Sequence, residues 1–156
     1  MSFKDVLVPT DFGSGSHVAL SQALDNLEPE GGRVVVLHVL DQRLIDPIQT
    51  LFSEHEKEEL TDRLRHQANE QYAQLMAKID TGKAECELLL VEGVPFMKIV
   101  QFAHDLDVDV IVMLVRRGSA YVEQMLFGST AERVLRLAPC PVLIVPETVN
   151  EAKAKL

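Results

Sequence analysis

Tryptophan is absent from this chain of 156 residues, and aromatic residues amount to only 5%. That is a poor stock for flanking a flavin, for an aromatic sugar platform or for stacking the bases of a single strand. Positive charge is scarce too: 15 Lys and Arg stand against 24 Asp and Glu, for a net charge of −9. A protein that holds a nucleic-acid backbone needs the opposite balance on at least one face. The two cysteines, Cys86 and Cys140, make neither a disulfide framework nor a zinc site. No apolar stretch approaches the ~20 residues that span a bilayer. The segment from Met1 to Asp5 leads into a strand-like run without a signal-peptide core. The expectation is a cytoplasmic protein with both thiols reduced. Three motifs are also missing: the P-loop, G-x-G-x-x-G and the G-x-S-x-G nucleophile elbow.

What the chain does have is an ordinary globular balance, 47% hydrophobic and 25% charged. Its length suits one domain, over 1–146, followed by a polar tail over 147–156. Five short runs rich in Val, Ile and Leu, at 6–8, 34–40, 88–91, 108–115 and 142–145, show little alternation. Such runs suit strands buried on both faces, as in a parallel sheet. Helical patterns lie between them. Leu20, Ala23, Leu24 and Leu27 follow a spacing of about 3.6 residues. So do Leu60, Leu64, Ala68, Tyr72, Leu75, Met76 and Ile79, behind a capping box of Ser53 and Glu56. Pro95 suits a first helical position, with Ile99, Val100, Ala103 and Leu106 continuing that face. Ser129 and Glu132 suggest a second capping box, and Pro139 and Pro141 end that helix. Strands alternating with helices predict an open, doubly wound α/β sheet with right-handed crossovers. Residues 42–52 read as a longer link without a clear pattern.

The local signal with most chemistry is Gly118, then Gly128-Ser129-Thr130 opening a helix, all following a buried strand. Free N–H groups and the positive end of a helix dipole meet there, and a missing Cβ lets an anion approach. Arg116 and Arg117 in the same loop could neutralise phosphates. The same residues also suit a plain turn, a helix cap and two solvated arginines. Asp11 ends the first strand, where such sheets bind ligands, and could accept from a ribose or a base edge. It could equally cap the turn that follows. Asp105, Asp107 and Asp109 superficially resemble a calcium loop, but Val110 stands where that loop needs glycine and Arg116 where it needs an acid. His17, His38, His55, His66 and His104 are scattered; His38 falls in a buried strand and reads as a hydrogen-bonded core histidine.

Several segments together resemble the universal stress protein family over nearly the whole chain. They are Lys4-Asp5-Val6-Leu7-Val8-Pro9-Thr10-Asp11, Leu37-His38-Val39, Glu92-Gly93-Val94-Pro95, and a long final block. That block runs Phe127-Gly128-Ser129-Thr130-Ala131-Glu132-Arg133-Val134-Leu135 and resumes at Ala138-Pro139-Cys140-Pro141-Val142-Leu143-Ile144-Val145-Pro146. The resemblance implies a five-stranded parallel sheet in the order 3-2-1-4-5 and a homodimer paired through the last strand, Val142 to Val145. A sheet edge with unpaired backbone groups gives that pairing a physical motive. The resemblance also implies two kinds of member, those that bind ATP and those that do not.

ATP-binding members look like G-x₂-G-x₉-G-[ST] after the fourth strand. Gly118, Gly128 and Ser129 keep that pattern, but Val115 stands at its first glycine. A β-branched residue suits positive φ poorly, and its methyls would crowd phosphates. Strain of that kind would weaken binding by on the order of 1–3 kcal/mol. The other implied contacts are Pro9, Thr10 and Asp11 near adenine and ribose, Val39 on the second strand, Arg117 near the phosphates, and Ser129 and Thr130 on them. The expected function is a stress-response protein that binds an adenine nucleotide, ATP with Mg²⁺ foremost, as a regulatory ligand. No general base, metal cage or P-loop lysine suggests turnover. The alternative is a nucleotide-free dimeric interaction module on the same fold. A receiver domain would need an acceptor Asp after the third strand and a Lys after the fifth; those positions read Val91-Glu92 and Val145-Pro146.

Overall fold

The computed structural model describes residues 2–115 and 128–147. Its elements, in chain order, are β1 (Asp5–Pro9), α1 (Ser16–Asp25), β2 (Arg33–Asp41), α2 (Gln42–Gln49) and α3 (Glu54–Ala77). They continue with β3 (Glu85–Gly93), α4 (Pro95–Asp105), β4 (Val110–Val115), α5 (Gly128–Leu137) and β5 (Val142–Pro146). The sheet is five-stranded and parallel, in the order β3-β2-β1-β4-β5, as the resemblance implied. Among the described residues no helix is long and apolar enough to cross a membrane.

The unbroken apolar runs hide a strict two-sided alternation. Val6, Val8, Val34, Val36, Val110 and Val112 pack on one face with Val18, Leu20 and Ala23 of α1, and Tyr72, Leu75 and Met76 of α3 join them. Leu7, Val35, Leu37, Ile111, Met113 and Val115 pack on the other with Ile99 and Ala103 of α4 and Ala131 and Val134 of α5. Successive strand side chains point to opposite faces, so a strand covered on both sides must be apolar at every position. Cys86 joins the first cluster and Cys140 the second, which keeps the two thiols on opposite faces. Burial pushes both thiols up from their ordinary range.

Two helices differ from expectation. Residues 42–49 form α2 rather than a link: Asp41 caps it, its carboxylate accepting from Arg43 N–H at 3.0 Å. Leu44, Ile48, Leu51 and Phe52 stay exposed on that segment, and Pro47 lies inside the helix, which is why its pattern reads weakly. Helix α5 begins at Gly128, so Ser129 lies in its first turn rather than at the cap. Glu132, the other half of the expected box, accepts from Arg136 at 2.7 Å.

The capping box of α3 does form. Ser53 Oγ accepts from Glu56 N–H, and Glu56 accepts from Ser53 N–H at 2.7 Å. The Ser53 N–H bond first, and second a bond that the Ser53 hydroxyl donates to the same carboxylate at 2.9 Å, hold the Glu56 carboxyl below its ordinary value of 4.5. The box therefore contributes fully above that value and is lost as pH falls through the lowered one. Protection of the Glu56 amide, measured by NMR exchange, is expected to drop as pH falls through the lowered pKa of the Glu56 carboxyl, while the middle of α3 stays protected. Ser53→Ala is expected to cost about 1 kcal/mol in denaturant unfolding at neutral pH.

At the N-terminal ends of the strands, Asp109 is exposed yet ties the start of β4 to the start of β1. Its carboxylate accepts from Lys4 N–H and Asp5 N–H, both at 2.9 Å. Asp5 in turn pairs with Arg33 at 2.9 Å, and Arg33 reaches the Leu106 carbonyl at 3.2 Å. No group of three or more potential metal ligands occurs among the described residues.

Candidate functional site

The site follows from where strands stop pairing. Strand β1 keeps five registered pairs with β2 but only two with β4, Val6 with Val110 and Leu7 with Ile111. The pair β1–β4 therefore parts early, and strand order reverses there. An open α/β sheet binds its ligands in that crevice, beyond the carboxyl ends of the strands.

One wall is the end of β1. Pro9 registers with Leu37, and Thr10 N–H donates to the Leu37 carbonyl at 2.9 Å. Arg33 N–H donates to the Lys4 carbonyl at 2.8 Å. Residues 33 and 37 thus turn their backbone groups toward β1, and every second residue of a strand does the same. Carried two residues on, the alternation aims Val39 N–H and C=O at the space past the end of β1. A donor and an acceptor side by side suit the edge of adenine, whose amino group donates and whose adjacent ring nitrogen accepts.

After Pro9 the chain makes a tight turn held by side-chain hydrogen bonds. Asp11 Oδ1 accepts from Gly13 N–H at 2.8 Å, an Asx turn that leaves the side chain exposed at the crevice. Thr10 Oγ1 accepts from Phe12 N–H at 2.9 Å and donates to Ser16 Oγ at 3.1 Å; Ser16 Oγ donates to the Gly13 carbonyl at 2.8 Å. Phe12 is left-handed, with φ 58°. A bulky side chain pays on the order of 1–3 kcal/mol for that conformation, which persists only where the surroundings impose it. The Phe12 ring lies 4.9 Å from the His38 ring, and His38 Nδ1 sits 2.8 Å from the Thr10 carbonyl.

The far wall is the end of β4. Val115 is still a strand residue: it registers with Pro146, its carbonyl accepts from Glu147 N–H at 3.0 Å, and its side chain is 6% exposed. Its φ is not left-handed, so the backbone strain expected of a valine at a glycine position is not found. Its methyls pack with the α4 and α5 cluster. Glu147, read from sequence as the start of the tail, belongs to the fold: its carboxylate accepts from Ser14 Oγ at 2.7 Å. Gly15 is left-handed at φ 83°, where a side chain would be strained, and a Cβ would crowd Leu114 at 3.1 Å and Glu147 at 3.2 Å. Ser129 and Thr130 lie in the first turn of α5, with Ser129 exposed. Arg116, Arg117 and Gly118 lie outside the described residues.

The structure thus brings Pro9, Thr10, Asp11 and Val39 to one side of the crevice, with Val115 at the end of the strand opposite. Reading the sequence missed three participants: Phe12, Ser16 and Glu147. His38 is a hydrogen-bonded strand histidine as expected, half-buried rather than fully in the core.

The model of the universal stress protein family matches residues 2–146. The chain belongs to the universal stress protein family. Among its relatives, universal stress protein MJ0531 of Methanocaldococcus jannaschii is 30% identical over 149 residues, covering 96% of this chain and 85% of that protein. The solved structure of MJ0577 from the same organism aligns with a TM-score of 0.77 at 28% identity, over 94% of this chain and 97% of that one. A universal stress protein from Archaeoglobus fulgidus, solved in complex with dAMP, aligns with a TM-score of 0.61 at 22% identity, over 92% of this chain and 98% of that one. The last comparison bears on the fold alone.

Proposed function

We propose that this universal stress protein is a cytoplasmic regulator that binds an adenine nucleotide in the crevice between β1 and β4. The observation that carries the reading is the β1–β2 bonding of Arg33 and Leu37, whose alternation aims the Val39 backbone donor and acceptor past the end of β1, with the Asp11 carboxylate on the same wall. Val39 would hold the adenine edge, and Asp11 would accept from ribose hydroxyls. The first turn of α5, with Ser129 and Thr130, offers donors and the positive end of a dipole to phosphates. Gly118 and Arg117 are the remaining phosphate contacts proposed. With ATP, Mg²⁺ would ride on the phosphates. A universal stress protein of the same fold has been solved in complex with dAMP.

The ligand acts here by occupancy, not turnover: binding biases the protein toward the conformer it prefers and so alters a partner surface. Two copies pair through β5. The bonds Ile111 N–H to Pro141 C=O and Glu147 N–H to Val115 C=O turn the odd residues of this strand toward β4. Val142 and Ile144 therefore aim their backbone groups outward, where a second edge would satisfy them. Sedimentation at micromolar concentration is expected to show a dimer, and a monomer overturns that part.

The chain has two tyrosines and no tryptophan, so bound adenine would dominate its ultraviolet spectrum. The purified protein is expected to absorb more at 260 than at 280 nm, and to melt higher with AMP or with millimolar ATP and Mg²⁺. No retained nucleotide and no thermal shift overturns the reading in favour of a nucleotide-free interaction module.

A further inference from the structure

We infer that His38 is a positioning residue that sets the Asp11 carboxylate for its ligand. This rests on the proposed nucleotide site. Asp11 lies between Thr10 and Phe12, and His38 grips both: its Nδ1 is 2.8 Å from the Thr10 carbonyl, and its ring lies 4.9 Å from the Phe12 ring. A carbonyl oxygen only accepts, so Nδ1 carries the proton and donates. Phe12 holds a left-handed φ of 58° that its own side chain disfavours, so something outside the turn must impose it. The Phe12 N–H bond to Thr10 Oγ1 acts within the turn. The imidazole, borne by the neighbouring strand β2, fixes the turn to the rigid sheet from outside. With the residues on either side of it held, Asp11 keeps the orientation in which it also accepts from Gly13 N–H. Preorganisation of this kind favours binding by sparing the ligand the cost of ordering the turn.

Three substitutions separate the parts of the imidazole. His38→Leu removes donor and ring, His38→Asn returns a donor near the Nδ1 position, and His38→Gln returns one near Nε2 instead. In nucleotide-free protein, the Phe12 and Gly13 amides are expected to exchange about tenfold faster in His38→Leu, with amides of β2 unchanged. His38→Asn should restore them and His38→Gln should not; the latter comparison decides the matter if His38→Leu fails to fold. AMP affinity is expected to fall roughly fivefold in His38→Leu. In an Asp11→Ala background the same change should cost nothing further, since the effect runs through Asp11. Unchanged amide exchange, or an equal loss of affinity without Asp11, overturns the assignment. A parent protein that binds no AMP sinks the nucleotide reading instead, and the exchange experiment then decides the role of His38 alone.

Discussion

Titration of the Asp11→Ala protein with AMP is expected to show binding about 30-fold weaker than that of the parent, a loss of about 2 kcal/mol. The magnitude follows from the chemistry. A carboxylate accepting from a ribose hydroxyl makes a charge-assisted bond, and its removal leaves the ligand donor without a partner. The side chain is exposed and packs in no core cluster, so folding should change by less than about 1 kcal/mol. Asp11→Asn keeps an oxygen for Gly13 N–H but gives up the charge, and should lie between the two, about fivefold weaker than the parent. Binding by Asp11→Ala equal to the parent's would remove Asp11 from the site. Isothermal calorimetry on the three proteins, at one salt concentration, separates these outcomes.

Those expectations lean on how far the residues themselves disclose the fold. The five strands were legible because a parallel sheet covered on both faces must be apolar throughout. The same fact hid the faces: nothing in Val34-Val35-Val36-Leu37 says which residues meet α1 and which meet α4. Strand β3 runs well beyond the apolar run at 88–91, because its flanking positions Glu85, Glu87 and Glu92 lie at a sheet edge. Charge on an edge strand is tolerated and discourages pairing with other chains. Helix α2 was illegible for a different reason. Pro47 argues against a helix interior, and the exposed Leu44 and Ile48 give no buried stripe to detect.

The site was legible in its ligand-facing residues and illegible in their supports. Pro9-Thr10-Asp11 ends a strand, and the crevice rule singles it out. The left-handed turn behind it announces itself nowhere, because that conformation is signalled by glycine or asparagine and here falls on Phe12. The imidazole of His38 acts across 28 positions of sequence, a separation that no local pattern encodes. Glu147 is similar: polar, next to the tail, and bonded to Ser14 only because β5 returns beside β4.

Val115→Gly sharpens this contrast. In the family pattern a glycine stands at this position, so restoring it looks like a gain of function. The fold argues the reverse. Val115 is 6% exposed and shares a cluster with Ile111, Ala131 and Val134. Removing its side chain forfeits about 2 kcal/mol of apolar burial, and a glycine in a strand adds about 1 kcal/mol of backbone entropy. The variant should therefore melt about 6–12 °C below the parent, by the scaling for a domain of this size. Its affinity for AMP or ATP should change less than about twofold, because the lost methyls face the helices of the core, and ~0.4 kcal/mol is all that a twofold change requires. Thermal melts read against nucleotide titrations on the same samples decide the point. A variant that melts like the parent and binds ATP more than about tenfold tighter would mean that the valine obstructs the ligand, and that its packing with α5 contributes little to the fold.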